Sequence, residues 1–144
     1  MIYSIGTSNR TLEEFIRTLQ KHEITIAIDV RSRPTSRFPH FRQKALAAEL
    51  ALRDIDYIWL GDVLGGEPSM HITADQQDDA MGTIVQLASH QHVVVFCAEG
   101  DPAQCHRSWN IGQQLLQKWG LVTVSVLRNG SLEDVDETLS RTVR

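Results

Sequence analysis

The stretch "HVVVFC", residues 92–97, is the most regular apolar run of the chain and decides the class of fold. Three valines followed by phenylalanine are typical of a strand that is covered on both faces, as in a parallel sheet. The next residues, "AEGDPAQ" (98–104), carry the glycine and proline of a turn, and "CHRS" (105–108) leads into an amphipathic segment. The pattern predicts a strand, a loop and then a helix from about residue 103 to Trp119.

The same alternation extends from this stretch to both ends of the chain. Apolar runs predict strands near residues 2–6, 25–30, 56–60, 92–97 and 121–127. Amphipathic segments predict further helices within residues 8–22, 39–54, 75–90 and 131–142. We therefore predict an α/β fold over residues 1–144: a single three-layer domain of about five mainly parallel strands with helices on both faces.

Length and composition restrict the class of protein. The 144 residues suffice for one domain, and 42% hydrophobic and 22% charged residues are ordinary for a globular chain. We find no apolar stretch of about eighteen residues and no signal peptide, so we expect no membrane association. Two cysteines without a secretory signal predict reduced thiols and a cytoplasmic location. The net charge of −4 disfavours general nucleic-acid binding, although Arg31, Arg33, Arg37 and Arg42 form a local positive field.

Chemically capable residues concentrate where the predicted strands end. Because ligands bind beyond the carboxyl ends of parallel strands, we expect one anion-binding cavity there, lined at least by Ser8, Arg31, Cys97 and Arg107. The candidate catalytic residues are Cys97, Glu99, Cys105 and His106, and the candidate substrate-binding residues are Ser8, Asn9, Asp29, Arg31, Arg33, Arg107 and Ser108.

The segment after residue 97 supplies the proposed chemistry. Cys105 is expected in a first helical turn, where the helix dipole and the neighbours His106 and Arg107 would lower its pKa. Arg107 and Ser108 at a helix start would bind an oxyanion. Two structural readings stay open: Cys97 packs in the core, and Asp29 pairs with an arginine. The tryptophans are interpreted as packing residues.

The spacing of the cysteines tests three known chemistries. A phosphatase loop needs Cys-x5-Arg, but the residues six positions after Cys97 and Cys105 are Ala103 and Ile111. Cys97, Cys105 and His106 lack the spacing of a structural zinc site, and the two cysteines lack the C-x-x-C of a common dithiol motif. We predict no metal and no cofactor.

Four segments resemble one sequence family along the whole chain. "IYSIGTSNRTLEEF", "AIDVRSRPTSRFPHF", "YIWLGDVLGG" and "VVVFCAEGDPAQCHRS" are similar to the bacterial and archaeal domain of unknown function 488 family. The family's first loop commonly reads T-I-G-H-S, whereas this chain has Ser4-Ile5-Gly6-Thr7-Ser8. If that histidine is a ligand or base in the family, Thr7 cannot replace it.

A second resemblance is architectural. "IDVR" at a strand end and the strand, loop and helix after "VVVFC" are similar to rhodanese-like sulfurtransferases. That resemblance implies a sulfur-carrying cysteine at the position of Cys97 and an anion-binding loop near Gly100. The loop here is longer and contains Pro102 and a second cysteine.

Two hypotheses about function follow from these residues. The first is an enzyme that acts on a small anionic ligand, phosphorylated or nucleotide-like, with Cys, His and Arg side chains. The second is a non-catalytic module that binds nucleic acid or an acidic partner through the arginine-rich loop 31–42. A thiol that ionises well below the usual pKa of about 8.5 would favour the enzyme.

Overall fold

The computed structural model describes residues 1–65 and 71–142. Within this part of the chain, six strands form one sheet in the order β3-β2-β4-β1-β5-β6. The strands are β1 (Ile2–Gly6), β2 (Ile26–Asp29), β3 (Asp56–Trp59), β4 (Val93–Cys97), β5 (Thr123–Val126) and β6 (Leu132–Asp134). Neighbouring strands from β3 to β5 pair in parallel, and β6 pairs with β5 in antiparallel orientation. The predicted α/β class is confirmed.

Helices connect the strands and cover both faces of the sheet. The α-helices are α1 (Leu12–Lys21), α2 (Gln43–Ala51), α3 (Gly61–Leu64), α4 (Ala74–Ala88), α5 (Gln113–Trp119) and α6 (Val135–Thr142). Short 3₁₀ turns lie at Pro39–Phe41 and Pro102–Gln104, and a π-helix spans Arg107–Gly112. Thr11 begins α1 by accepting a hydrogen bond from the backbone N–H of Glu14, as the sequence indicates.

Two hydrophobic clusters show which helices cover which face. Phe15 and Ile16 of α1 and Leu46 of α2 pack with Phe96 on one face. Met81 and Ile84 of α4, with residues of the π-helix and α5, pack with Val95 and Cys97 on the other. Successive residues of β4 therefore point to opposite faces, and both faces are buried.

The sixth strand corrects the expectation of a helix over the whole of residues 131–142. Leu127 accepts a hydrogen bond from Gly130 N–H and donates one to Ser131, which closes a turn between β5 and β6. Gly130 has a φ of 87°, a conformation that glycine adopts without strain. The dipeptide Asn129-Gly130 is a strong hairpin signal and could have predicted this strand.

The predicted helix 103–119 is broken at Cys105. Cys105 is extended, with φ −120° and ψ 140°, and it closes the 3₁₀ turn by donating its N–H to the Pro102 carbonyl. The helical backbone resumes at His106 and is a π-helix as far as Gly112. Cys105 therefore lies immediately before the helix and not in its first turn. Single π segments of this kind are frequent at functional sites.

The strand order opens two crevices, one on each side of the loop after β4. Strands β1 and β2 flank β4, and the helices that follow them, α1 and α2, cover one face of the sheet. The chain that follows β4 turns to the other face. Because the connections diverge on both sides of β4, each side leaves a crevice at the carboxyl edge of the sheet.

Candidate functional site

The crevice between the loops after β2 and β4 is a cavity of about 320 Å³, which we call the thiol cavity. Both cysteines of the chain are free thiols and reach it, one from the end of β4 and one from the start of the following helix. Its lining comprises Arg31, Ser32, Arg33, Thr35, Gly65, Cys97, Ala98, Glu99, Gln104, Cys105 and His106.

Arg107 lies behind the thiol cavity, not on its wall, and its side chain is only 1% exposed. Its Nε donates to Ser4 Oγ at 2.6 Å, and its Nη1 donates to Cys97 Sγ at 2.9 Å and to the Glu99 carbonyl. Its Nη2 donates to the Gly100 carbonyl at 3.4 Å. These partners fix the loop after β4 against β1 and leave Arg107 few free donors for a ligand.

None of the partners of Arg107 among the described residues is a carboxylate. A buried guanidinium is costly unless a negative charge compensates it. Among the described groups that can carry such a charge, the Cys97 thiol contacts Arg107 directly, and Cys105 and the exposed carboxylate of Asp101 lie within range of its charge. The charge on Arg107 therefore favours a thiol pair that holds one proton and one negative charge.

The environment assigns that charge to Cys105. The pKa of Cys105 is lowered to about 4, first by a hydrogen bond from the Cys97 thiol and then by His106 and the charge of Arg107, which together outweigh burial. The pKa of Cys97 is raised well above its ordinary value, because it is the hydrogen-bond donor to Cys105, is buried, and would add a second charge beside the first.

His106 is the neighbour that completes this pair. Its Nε2 lies 3.1 Å from the Val30 carbonyl, which only accepts, so Nε2 carries a hydrogen. Its Nδ1 is then the ring nitrogen that shares a proton with Cys105 Sγ, 3.6 Å away, as donor or acceptor. Burial acts to lower the pKa of His106, but the hydrogen bond and charge of Cys105 and the Val30 carbonyl raise it. The geometry supports a thiolate beside an imidazolium.

A buried ion pair fixes the opposite wall of the cavity. Asp29, fully buried at the end of β2, accepts from Arg31 Nε at 2.9 Å and Nη2 at 2.8 Å and from the Tyr57 hydroxyl. Arg31 Nη1 donates to the Phe41 carbonyl at 2.8 Å. Burial, with the hydrogen bond to Asp29, raises the pKa of Tyr57. Asp29 and Arg31 thus hold the loop 31–41 in place, which is the structural reading that the sequence left open.

Arg33 differs from Arg31 because its side chain has no partner among the described residues. It is exposed at the rim of the thiol cavity. Glu99, on the same cavity, accepts the Asp101 N–H at 3.0 Å and so supports its own loop. Arg33 is the guanidinium of this cavity that is free to meet an anion.

The structure does not bring all the predicted site residues together. Ser8 and Asn9 line a second cavity, of about 570 Å³, on the other side of the loop after β4. Glu99 borders both cavities, and Arg107 is buried behind the loop. The side chain of Ser108 lies outside the described part of the chain. The expectation of one cavity lined by Ser8, Arg31, Cys97 and Arg107 is therefore replaced by two separate crevices.

Sequence reasoning missed three groups at the site: Ser4, which contacts Arg107, the Val30 carbonyl, which contacts His106, and Tyr57, which contacts Asp29. Ser4 is 3% exposed within an otherwise apolar strand, and it also accepts from Ser125 Oγ at 3.2 Å. A serine in a fully buried strand is a signal for an internal polar partner, which here is Arg107. A backbone carbonyl such as that of Val30 leaves no mark in a sequence.

Two further features of the described residues concern metals and membranes. Within residues 1–65 and 71–142, no group of three or more His, Cys, Asp and Glu side chains is arranged to hold a metal ion. In the same part of the chain, every helix is too short or too polar to cross a bilayer.

Comparisons with known proteins give one family match. The family model described as "Domain of unknown function DUF488" matches residues 11–73, which is less than half of the chain. Both cysteines lie outside the matched residues, so the resemblance of the whole chain stays a prediction. No curated protein and no solved structure matches the chain. The likeness to rhodanese-like domains likewise stays a prediction.

Proposed function

We propose that the protein is a cysteine-dependent enzyme that acts on a small anionic substrate, phosphorylated or nucleotide-like, bound in the thiol cavity. Cys105 is the nucleophile and His106 is its acid–base partner. The observation that carries the proposal is the contact between Cys105 Sγ and His106 Nδ1, with Nε2 fixed by the Val30 carbonyl. A nucleophile beside a base that a third group orients is the general arrangement of covalent catalysis.

The proposed reaction uses the proton that His106 holds. The thiolate of Cys105 forms a bond to the electrophilic atom of the substrate while the bond from that atom to the leaving group breaks. The imidazolium of His106 gives its Nδ1 proton to the leaving group and becomes neutral. His106 then accepts a proton from water, whose oxygen displaces Cys105 and restores the thiolate.

Recognition of the anion is assigned to Arg33. Its guanidinium lies at the rim of the cavity and has no partner among the described side chains. A volume of about 320 Å³ is within the range of small-ligand sites. Arg107 is buried behind the wall of the thiol cavity. It compensates the charge of the thiol pair and does not contact the substrate.

The test compares two alkylating reagents of similar size, the anion iodoacetate and the neutral iodoacetamide. We expect Cys105 to prefer iodoacetate more than a simple thiol does, and Arg33→Ser to lower that preference about two- to fivefold, as for an exposed charge pair. Arg37→Ser is the matched control, since Arg37 is exposed and stacks on Phe38 with 4.9 Å between guanidinium carbon and ring centre. A preference equal to that of a simple thiol in all three proteins would contradict the proposal.

A second candidate is binding of nucleic acid through the arginine-rich loop. The observation that favours it is Phe38, which is 45% exposed beneath the Arg37 guanidinium. Exposed aromatic rings next to arginines stack on unpaired bases. Arg31 cannot contribute, because it is 6% exposed and is paired with Asp29.

Binding of a fluorescent single-stranded oligonucleotide decides this candidate. Salt-sensitive binding that Phe38→Ser weakens severalfold would support it. Equal binding by the wild type and by Phe38→Ser would reject it.

A further inference from the structure

We propose that Cys97 and Cys105 also form a redox pair, which small hydroperoxides oxidise to an intramolecular disulfide. This second activity rests on the proposed function in one respect: it needs Cys105 as the ionised nucleophile. It adds a role for Cys97, which the proposed enzyme reaction does not use.

The placement of the two thiols supports a shared reaction. Both are free, both line the thiol cavity, and they are 3% and 4% exposed. The Cys97 thiol donates to the Glu99 carbonyl at 3.7 Å. Cys97 is also the first cause of the lowered pKa of Cys105, and Cys105 is the first cause of the raised pKa of Cys97. The two thiols are therefore interacting neighbours in one cavity before any reaction begins.

The backbone at Cys105 allows the sulfurs to approach. A disulfide requires a sulfur–sulfur distance of about 2.05 Å. Cys105 is an extended residue between the 3₁₀ turn Pro102–Gln104 and the π-helix Arg107–Gly112. It is therefore not held by a regular ladder of α-helical hydrogen bonds. Cys97, at the end of β4, is the fixed partner.

The first step consumes one hydroperoxide. The Cys105 thiolate attacks the terminal oxygen, a sulfur–oxygen bond forms and the oxygen–oxygen bond breaks. The sulfur loses two electrons, and the alkoxide that leaves takes a proton from the imidazolium of His106. The product at Cys105 is a sulfenic acid.

The second step uses Cys97. Its sulfur bonds to the sulfur of Cys105, the sulfur–oxygen bond breaks, and the hydroxide leaves as water with the Cys97 proton. Arg107 Nη1, 2.9 Å from Cys97 Sγ, stabilises the negative charge that develops there. An added dithiol such as dithiothreitol returns both thiols and becomes oxidised itself.

The burial of the pair selects a small oxidant. A protein disulfide would have to place its two sulfurs in line with Cys105, which is 4% exposed within the cavity. A hydroperoxide needs only one oxygen at that sulfur. The thiol cavity therefore favours a hydroperoxide as the oxidant.

In the experiment, dilute wild type, Cys97→Ser and Cys105→Ser are treated with an equimolar amount of hydrogen peroxide. The masses of the intact proteins are then measured by mass spectrometry. We expect the wild type to lose the mass of two hydrogen atoms, to stay monomeric, and to recover with dithiothreitol. Cys97→Ser should accumulate sulfenic acid at Cys105, labelled by dimedone at least about tenfold more than in wild type. Cys105→Ser should give neither product.

Two results would overturn the proposal, and they differ in what else they affect. If wild-type Cys105 is alkylated readily but peroxide yields sulfinic acid beside an intact Cys97 thiol, the redox pair fails while the proposed function stands. If Cys105 reacts with neither iodoacetamide nor peroxide, both fail. Should Cys97→Ser not fold, the mass of peroxide-treated wild type still decides between disulfide and dithiol.

Discussion

Replacing His106 by glutamine tests the origin of the ionised thiol most informatively. The variant removes the positive charge that lies 3.6 Å from Cys105 Sγ. At an effective dielectric constant of about 20, two opposite unit charges at that separation attract each other by about 4–5 kcal/mol. Since one pKa unit corresponds to about 1.4 kcal/mol, the upper limit is a rise of about three units in the pKa of Cys105. Cys97 and Arg107 remain in the variant, so we expect a rise of about one to three units.

The assay is the rate of alkylation of Cys105 by iodoacetamide as a function of pH, with the site of modification read by mass spectrometry. In wild type the rate should stay level from about pH 8 down to about pH 5 and fall near the pKa of about 4. In His106→Gln the fall should begin at higher pH. The matched control is His40→Gln, since His40 lies in the 3₁₀ turn of the arginine-rich loop and does not line the thiol cavity. An unchanged profile in His106→Gln would refute the thiolate–imidazolium pair.

Two further predictions concern stability. Tyr57→Phe removes a hydrogen bond to the buried Asp29 carboxylate. It should lower the free energy of unfolding, measured by urea unfolding, by about 1.5–3 kcal/mol. The pH profile of Cys105 alkylation should stay unchanged, and a shifted profile would mean that the ion pair and the thiols are coupled. The pKa of Cys105 is about 4 in the folded protein and about 8.5 in the unfolded chain. Ionised Cys105 therefore stabilises the fold fully at a pH above about 8.5. This contribution is lost as the pH falls through about 4. Between about pH 5 and 6.5, below the range in which the raised pKa of His106 adds the opposite slope, the stability of wild type should therefore rise relative to Cys105→Ser, measured by urea unfolding, and parallel curves would contradict this.

The sheet could be predicted because its signals are local. "HVVVFC" and the other apolar runs carry their strand character in a few consecutive residues, and β4 is observed at Val93–Cys97. The sixth strand was missed although Asn129-Gly130 marked a hairpin, because "SLEDVDETLSRT" has the capping pattern of a helix. That helix exists, but it begins at Val135 after the strand.

The site was predictable as a set of residues but not as an arrangement. Helix and strand patterns place Ser8, Arg31 and Cys97 at one edge, but the strand order decides that β4 separates β1 from β2. Ser8 therefore faces a different crevice from Arg31. The inward direction of Arg107 was hidden because an arginine at a helix start is usually a solvent-facing anion binder. Its partner Ser4 is 103 positions away in sequence.

We infer that the pair Cys97–Cys105 carries one negative charge, which compensates the buried guanidinium of Arg107. The most direct measurement is the ultraviolet thiolate absorbance of the folded protein at neutral pH, taken as the difference from a variant with serine at both positions. We expect one thiolate per molecule in the wild type relative to the double variant, which has no thiol. An absorbance equal to that of the double variant, with both thiols ionising together near about pH 8.5, would contradict it.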